Sequence, residues 1–199
     1  MDESRLTLLP DHSFAALLPA LRGRLGQVAA SIDALTFPSV LDGAMTQLFH
    51  SAVNGTGATE GSIWLLEQAT GSLTIAYNTS PNSQKLVGKF KQPLNAGLIS
   101  MVFSSEQSFI ENEVYRNSMQ DKTLDSLLKV RTWAMIAVPF YFLRECRGVA
   151  SCVQLIPATA EAADPKGFNG IHEAIFRNAI VVLGRLIDHW AMSRTIGLD

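Results

Sequence analysis

The 199-residue sequence has few charged residues and no long apolar run. Aspartate, glutamate, lysine and arginine make up 17% of the chain, against roughly 25% in a typical soluble domain, which predicts that some surface is hidden in an oligomer. The longest uncharged apolar stretch, Trp133 to Leu143, has 11 residues, whereas a membrane span needs about 20. The amino terminus is acidic and lacks the layout of a secretory signal. We therefore expect a cytoplasmic, soluble protein that does not enter a membrane.

Motifs for nucleic-acid binding, metal binding and catalysis are also missing. The net charge is −2 and basic residues occur only in small groups, so no nucleic-acid partner is predicted. Cys146 and Cys152 lie on one predicted strand, roughly 20 Å apart, and are expected to be free thiols. His172 begins an H-E-x-x-H zinc motif, but Phe176 replaces the second histidine. Since G-x-S-x-G, P-loop and G-x-G-x-x-G motifs are absent too, we predict no metal site and no catalytic residue.

Apolar spacing predicts helices at both ends of the chain. Six residues near the amino terminus recur at alternating intervals of three and four, as in a helix that packs on a partner helix: Leu18, Leu21, Leu25, Val28, Ile32 and Leu35. That partner is either the chain's own domain or a second copy. Pro38 is expected to open a second helix over residues 39–53. A long C-terminal helix is predicted over 168–194, with more apolar residues than one face needs.

Strands are predicted between these helices. A hairpin is expected over residues 62–78, a short strand within 87–93, a helix over 95–105 and a strand over 107–112. A polar, partly helical loop precedes two strands within residues 132–156. Those two strands carry apolar residues in both phases of the two-residue repeat, so both faces of the sheet must be covered. Terminal helices would cover one face, and the central helix with its polar loops the other, where an irregular layer leaves room for a cavity.

Several strings, in this order, resemble the GAF domain, a small sensory fold of phosphodiesterases, phytochromes and bacterial signalling proteins. GSIWLLE resembles its first strand, AGLISMVFSSEQSFIENEVY a helix and the following strand, RTWAMIAVPF the fourth strand and RGVASCVQLI the fifth. The resemblance implies an α+β fold, with a central antiparallel sheet of five to six strands, terminal helices on one face and a ligand chamber on the other. It divides the chain into an N-terminal helical extension (1–37), a GAF-like domain (38–195) and a tail (196–199).

The resemblance also implies which residues face the chamber. By position they are Ser62, Tyr77, Asn78, Leu98, Ile99, Asp125, Thr132 and Gln154. Asp125, Arg131 and Thr132 match the D-x-x-T-G-[FY]-[KR]-T motif of cyclic-nucleotide binders, but Leu128 replaces its hydroxyl residue and Lys129 its glycine. Of the N-K-F-D-E motif only the phenylalanine and the glutamate remain. A cyclic nucleotide is therefore disfavoured, no cofactor is evident, and the implied ligand is an unidentified small organic molecule.

Two functions of different classes follow. The first is a sensor that binds a small ligand and signals through its terminal helices, as a homodimer formed by the N-terminal leucine pattern and the C-terminal helix, to a downstream effector. The second is a ligand-free dimerisation or interaction scaffold, favoured by bulky Leu128 and Ile99 at chamber positions. Free methionine-R-sulfoxide reductases, which are enzymes of this family, are disfavoured because their cysteine positions hold no cysteine here. The chain is expected to be either a stand-alone regulator or a piece of a longer protein.

Overall fold

A computed structural model describes residues 12–157 and 164–198. Its centre is a six-stranded antiparallel sheet in the order β3-β2-β1-β6-β5-β4. The strands are β1 (Glu60–Glu67), β2 (Ser72–Asn78), β3 (Lys91–Pro93), β4 (Phe109–Asn112), β5 (Val130–Phe142) and β6 (Glu145–Pro157). The α+β class and the antiparallel sheet of five to six strands are thereby confirmed.

The two longest strands, β5 and β6, form a hairpin of 13 residues on each side. Leu143 and Arg144 connect them, and both have positive φ angles, of 53° and 65°. Positive φ at both central residues is the backbone geometry of a type I′ turn, whose twist matches that of the flanking strands. Both hairpin strands lie inside the sheet, between β1 and β4, and are covered on both faces as their apolar pattern requires.

One face of the sheet is covered by helices near the chain ends. They are α1 (Leu18–Ala30), α2 (Phe37–Val40), α3 (Gly43–Gly55) and α7 (Gly170–Ile196). Four phenylalanines form the centre of this core, Phe37 from α2, Phe49 from α3, Phe140 from β5 and Phe176 from α7, and all are fully buried. Helix α1 contacts α7 and has no fully buried residue, so it lies on the outside of this layer.

The N-terminal helix is shorter than predicted. It ends at Ala30, and Ile32 and Leu35 lie in the turn that follows, so the apolar pattern over 18–35 is not one continuous helix. The Asp33 carboxylate accepts hydrogen bonds from the backbone N–H groups of Leu35 and Thr36, both at 2.8 Å, and the bond from Thr36 is the main cause that lowers the Asp33 pKa. Such a side-chain turn competes with helix continuation. Residues 1–11 of the predicted extension, and Asp199 of the tail, lie outside the described residues.

The second predicted helix is two helices. Leu41 adopts an extended conformation after α2, and α3 then begins with Asp42 as its N-cap. The Asp42 carboxylate accepts a hydrogen bond from the Met45 N–H at 2.8 Å. An aspartate cap of this kind satisfies one of the free N–H groups at a helix start, and it explains why a new helix begins here.

The other face of the sheet is covered by three short helices and their loops. These are α4 (Ser83–Leu86), α5 (Leu98–Ser105) and α6 (Thr123–Leu128). A second, smaller core forms between them and the sheet, with Trp64, Ile75, Leu86 and Val102 buried in it. None of the helices in the described part of the chain combines the length and the apolar character that crossing a bilayer needs.

Candidate functional site

A cavity of about 70 Å³, called the chamber below, lies between the sheet and the layer of α4, α5 and α6. One water needs roughly 10–15 Å³ on this measure, and drug-sized ligands occupy about 300–1,000 Å³. The chamber therefore has room for a small molecule only. Most of its wall is apolar, and the polar residues that line it are Glu60, Ser62, Asn78, Gln92, Gln120, Asp121, Asp125, Thr132 and Ser151.

Strand alternation brings the sheet residues to the chamber. Successive side chains of a strand point to opposite faces, so Glu60, Ser62 and Trp64 of β1 share the chamber side. Ser151 of β6 lies opposite Ser62 in the β1–β6 register. Ser151 Oγ accepts a hydrogen bond from the Trp64 indole N–H at 3.2 Å, which fixes the indole against the chamber wall.

A β-bulge allows β5 to contribute two residues out of the usual alternation. Thr132 pairs with Leu155 and Ala134 with Gln154, so Trp133 is the extra residue. Beyond the bulge the phase of the strand is reversed, and both Thr132 and Met135 line the chamber. Without the bulge, residues 132 and 135 would point to opposite faces of the sheet. The bulge thus brings a polar and an apolar group to the same wall.

The lid, defined as residues 120–129 including α6, is held to the sheet by polar contacts. The Asp125 carboxylate accepts hydrogen bonds from the backbone N–H of Thr132 at 2.8 Å and from its hydroxyl at 2.6 Å. It also accepts one from the Gln120 amide at 2.9 Å. No residue of α6 is fully buried, and Leu124 and Leu128 pack only in part against the smaller core, so these hydrogen bonds help to position the lid.

A second polar contact joins the lid to β3. The Gln92 amide donates to the Asp121 carboxylate at 3.0 Å and to the Ala96 carbonyl at 2.8 Å. Hydrogen bonds from Thr123, more than that from Gln92, lower the pKa of Asp121. Gly97 lies directly under this contact with a φ of 84°, and a Cβ there would lie 2.7 Å from Gln92 Nε2. The backbone conformation at position 97 requires a glycine, and a Cβ there would also displace the Gln92 amide from this contact.

Glu60 supplies a partly buried carboxylate at the end of the chamber formed by β1 and β2. Loss of hydration on burial raises its pKa, and hydrogen bonds with Ser80 and Asn78 act in the opposite direction. Asn78 also donates to Ser62 Oγ at 2.9 Å. This end of the chamber is therefore organised by neutral hydrogen-bonding groups around one carboxylate.

Six of the eight residues predicted to face the chamber do line it, namely Ser62, Asn78, Leu98, Ile99, Asp125 and Thr132. The placement of Tyr77 was wrong. Tyr77 lies on the opposite face of the sheet, beneath the helical layer. There its hydroxyl lies 2.8 Å from His50 Nε2 and its ring packs edge-on against Phe49. Asn78 and Tyr77 are adjacent in an extended strand, so the two could not share a face.

The placement of Gln154 was wrong for the same reason. Its neighbours Val153 and Leu155 line the chamber, and Gln154 lies on the helical side. There its amide donates to the Gly57 carbonyl at 3.3 Å and accepts from the Gly167 N–H at 3.0 Å. Gln154 thus ties the segment before α7 to the loop after α3.

The sequence predictions missed several residues of the site. Glu60, Trp64 and Ser151 could have been found by extending the two-residue repeat from Ser62 along β1 and across to β6. Gln120 and Asp121 could not, because they lie in an irregular segment without periodicity. In the described part of the chain, no three histidine, cysteine, aspartate or glutamate side chains come together in a group that could hold a metal.

No protein-family model matches the sequence, and a search of curated proteins gives no match. The GAF domain of a phosphoenolpyruvate-protein phosphotransferase from Coxiella burnetii matches in structure with a TM-score of 0.57 at 18% identity, covering 92% of this chain and 97% of that one. The corresponding domain from Acinetobacter gives a TM-score of 0.55 at 16% identity, covering 92% and 98%.

An enzyme with the same architecture also matches. The type II free methionine-R-sulfoxide reductase from Thermoplasma acidophilum gives a TM-score of 0.53 at 16% identity, covering 74% of this chain and 94% of that one. The class defined by the sheet, the helical layer and the chamber is thus an α+β fold shared by GAF domains of phosphotransferases and by a reductase. Within that class, this chain has the GAF fold.

Proposed function

We propose that this chain is a sensory module that binds a small organic ligand in the chamber and signals through its terminal helices. The observation that supports the proposal most strongly is the chamber itself, which combines apolar walls, convergent polar groups and a lid held by a few hydrogen bonds. A pocket of this composition is the usual form of a small-molecule site. The GAF fold is a second observation in support of a regulatory role.

The lid provides the element that a ligand would shift. Asp125 and Asp121 hold it through hydrogen bonds to Thr132 and Gln92, and a ligand that accepts from or donates to these groups competes with the lid contacts. A ligand changes a conformational equilibrium only through its different affinity for the two arrangements. Because the chamber groups also close the lid, ligand binding and lid position are coupled in this proposal.

The strands connect the chamber to the helical layer. Ser62 and Ser151 face the chamber, while the adjacent Ile63, Ala150 and Cys152 are buried against the helices on the other face. A change in the spacing of β1 and β6 on one face therefore reaches α3 and α7 on the other. In this proposal the helices transmit the change to a second copy of the chain and to a downstream effector that contacts them.

The proposed homodimer uses the exposed apolar side chains of α1 and α7. Leu18 is 44% exposed, and Leu21, Leu25 and Val28 are half-buried against the chain's own surface. On α7, five of the six exposed large apolar residues fall on one 3-4 spacing, as in a helix that pairs with another helix. They are Ile171, Ile175, Val182, Met192 and Ile196.

A ligand-free scaffold is the second candidate, and the small volume of the chamber favours it. Leu128 and Ile99 fill space in the lining that a larger ligand would need. Catalysis of the reductase type has less support, because neither thiol reaches the chamber. Cys152 is buried on the helical side against Thr56, and Cys146 lies near the β5–β6 turn with its thiol 3.5 Å from the Gly148 carbonyl.

Native mass spectrometry of the protein as purified tests the proposal. We expect a mass increment per protomer that is lost on denaturation. Leu128→Trp, which adds volume inside the chamber, should abolish the increment. Leu127→Trp makes the same change one residue earlier on α6, where the side chain is 61% exposed, and should retain it.

The outcomes separate the two candidates. An increment that disappears in Leu128→Trp alone supports the sensor and gives the mass of its ligand. A bare dimer that no metabolite stabilises in a thermal-shift screen would instead support the scaffold. An increment that survives in both variants would show that the ligand binds elsewhere, and would contradict the proposal.

A further inference from the structure

We infer that the ligand of the chamber is a small organic cation, an amine with a short apolar body. The inference rests on the proposed function and names the ligand class of the same site. Three carboxylates line the chamber, Glu60, Asp121 and Asp125. Its lining contains no lysine, arginine or histidine from the described residues. The charged groups of the chamber wall are thus all formally negative, and they surround an apolar space.

Hydrogen bonds to these carboxylates come from neutral groups. Asp125 accepts from Thr132 and from the Gln120 amide, and Asp121 accepts from the Thr123 N–H and from the Gln92 amide. Ion pairs within the described ranges involve Glu67, Glu113, Glu145 and Glu173, and none of the three chamber acids. Within the described part of the chain, none of the three acids forms an ion pair, although Lys122, Lys129 and Arg131 line a surface pocket that Asp125 also borders.

Gln120 provides an independent observation, because one of its atoms has no partner. Its side-chain oxygen Oε1 is buried and has no hydrogen-bond partner within the described structure. The orientation of the amide is fixed, since its nitrogen faces the Asp125 carboxylate, which can only accept when ionised. A buried acceptor without a partner costs free energy, and because Oε1 has almost no accessible surface, an N–H donor in the chamber would reach it only if the lid residues moved.

The apolar part of the lining suits the body of such an amine. Trp64 and Phe90 meet edge to face with their ring centroids 6.0 Å apart, and both line the chamber beside Leu98 and Ile99. Aromatic rings attract a cation over their faces, and they exclude water from an alkyl chain. The volume of about 70 Å³ limits the ligand to a few non-hydrogen atoms.

The same features act against anionic ligands. A phosphate or a carboxylate would enter a space bounded by three acids without a positive side chain among the described lining residues. Like charges at short range repel strongly where water is excluded. The disfavoured cyclic nucleotide is a phosphodiester anion, so the electrostatics of the chamber argue against it independently of the sequence motif.

Three probes with one carbon skeleton test the inference. Isopentylamine is a cation, 3-methylbutan-1-ol is neutral and isovalerate is an anion at pH 7. Their dissociation constants would be measured by calorimetry and by saturation-transfer NMR on the full chain. We expect the amine to bind at least about tenfold more tightly than the alcohol, because hydrogen bonds between charged groups contribute roughly twice as much as neutral ones. Isovalerate should not bind measurably.

Variants that remove one negative charge test which acids contribute to amine binding. Glu60→Gln and Asp121→Asn keep the shape of the side chains and should each weaken amine binding by about fivefold or more, and by more than they weaken alcohol binding. Glu145→Gln is the matched control, since that acid is exposed near the β5–β6 turn and pairs with Arg147. Thermal unfolding checks that every variant is folded, and the second acid keeps the test valid if one variant is not.

The results distinguish failure of this inference from failure of the proposed function. If the alcohol or isovalerate binds as tightly as the amine, and Leu128→Trp abolishes that binding, the chamber is a ligand site and the inference is wrong. A neutral or anionic molecule found by native mass spectrometry would overturn it in the same way. If no probe binds and the purified protein is bare, both proposals fail.

Discussion

Asp125 and Thr132, seven positions apart in the chain, form the closest polar contact between the lid and the sheet. The Asp125 carboxylate accepts from the Thr132 backbone N–H at 2.8 Å and from the Thr132 hydroxyl at 2.6 Å. Asp125 lies on α6 and Thr132 lies on β5 just before the bulge at Trp133. Because both oxygens of the carboxylate are used, its orientation is fixed. The position of the lid over the chamber thus depends on this pair.

We expect Thr132→Val to loosen the lid without unfolding the domain. Valine keeps the shape of threonine and removes the hydroxyl, so the carboxylate loses one of its bonds, at a cost of about 1.5–3 kcal/mol for a bond to a charged group. Hydrogen exchange of the α6 amides should become faster by at least tenfold, while that of α7 should not change. Thr46→Val on α3, on the opposite side of the sheet, is the control. Equal exchange in α6 before and after the change would contradict the role given to the pair.

Gly148→Ala should strongly destabilise the sheet. A Cβ at position 148 would lie 1.8 Å from the Trp64 carbonyl oxygen, which is backbone and cannot move aside without separating β1 from β6. We expect a loss of about 3 kcal/mol or more in the free energy of unfolding, measured in urea. Gly43→Ala is the matched control because a Cβ there meets nothing within 4 Å. A loss below 1 kcal/mol at Gly148 would show that the two strands separate easily.

The stability of the protein should fall with pH above about pH 8.5, where an exposed thiol ionises. Burial raises the pKa of Cys152 to about 12, so the thiol keeps its proton in the folded state and loses it in the unfolded state. The unfolded state then binds fewer protons, and stability decreases as pH rises. By pH 9.5 the loss should be roughly 1 kcal/mol. Cys152→Ala should show a shallower decline, and an unchanged slope would contradict the assignment.

Val182→Glu should shift the proposed homodimer toward monomers. Val182 is 45% exposed and lies on the apolar spacing of α7 that includes Ile175. A glutamate at a helix-pairing position places like charges opposite each other in a symmetric dimer. Light scattering coupled to size-exclusion chromatography at several concentrations measures the shift. The control is Val181→Glu, 50% exposed and next in sequence but about 100° away around the helix.

The sequence predicted the layers of this fold because the two hairpin strands are apolar in both phases. Only a sheet covered on both faces satisfies that pattern, and the helices at the chain ends are long and amphipathic enough to supply one cover. Details that depend on a single side chain were not predictable in the same way. Asp33 ends the N-terminal helical segment in a turn, and Asp42 begins a new helix, and neither effect changes the apolar periodicity.

The candidate site was predicted in part, for a similar reason. Ser62 and Thr132 line the chamber, as the resemblance of their strings to known strands implied. Tyr77 and Gln154 were assigned from position alone, and strand alternation would have excluded them beside Asn78 and Val153. The bulge at Trp133 reverses the alternation of β5, and no feature of the sequence marks it. Lid residues such as Gln120 are positioned by tertiary contacts, so local patterns carry no information about them.

The order of the strands has a mechanical consequence. Strands β1 to β3 come from one continuous stretch of chain and β4 to β6 from the next, and within the sheet the two halves meet only where β1 pairs with β6. Ser62 and Ser151 face each other across that junction, at the wall of the chamber. A molecule that contacts both serines would link the two halves of the sheet to each other. Its departure would leave them joined, inside the sheet, by a single line of backbone hydrogen bonds.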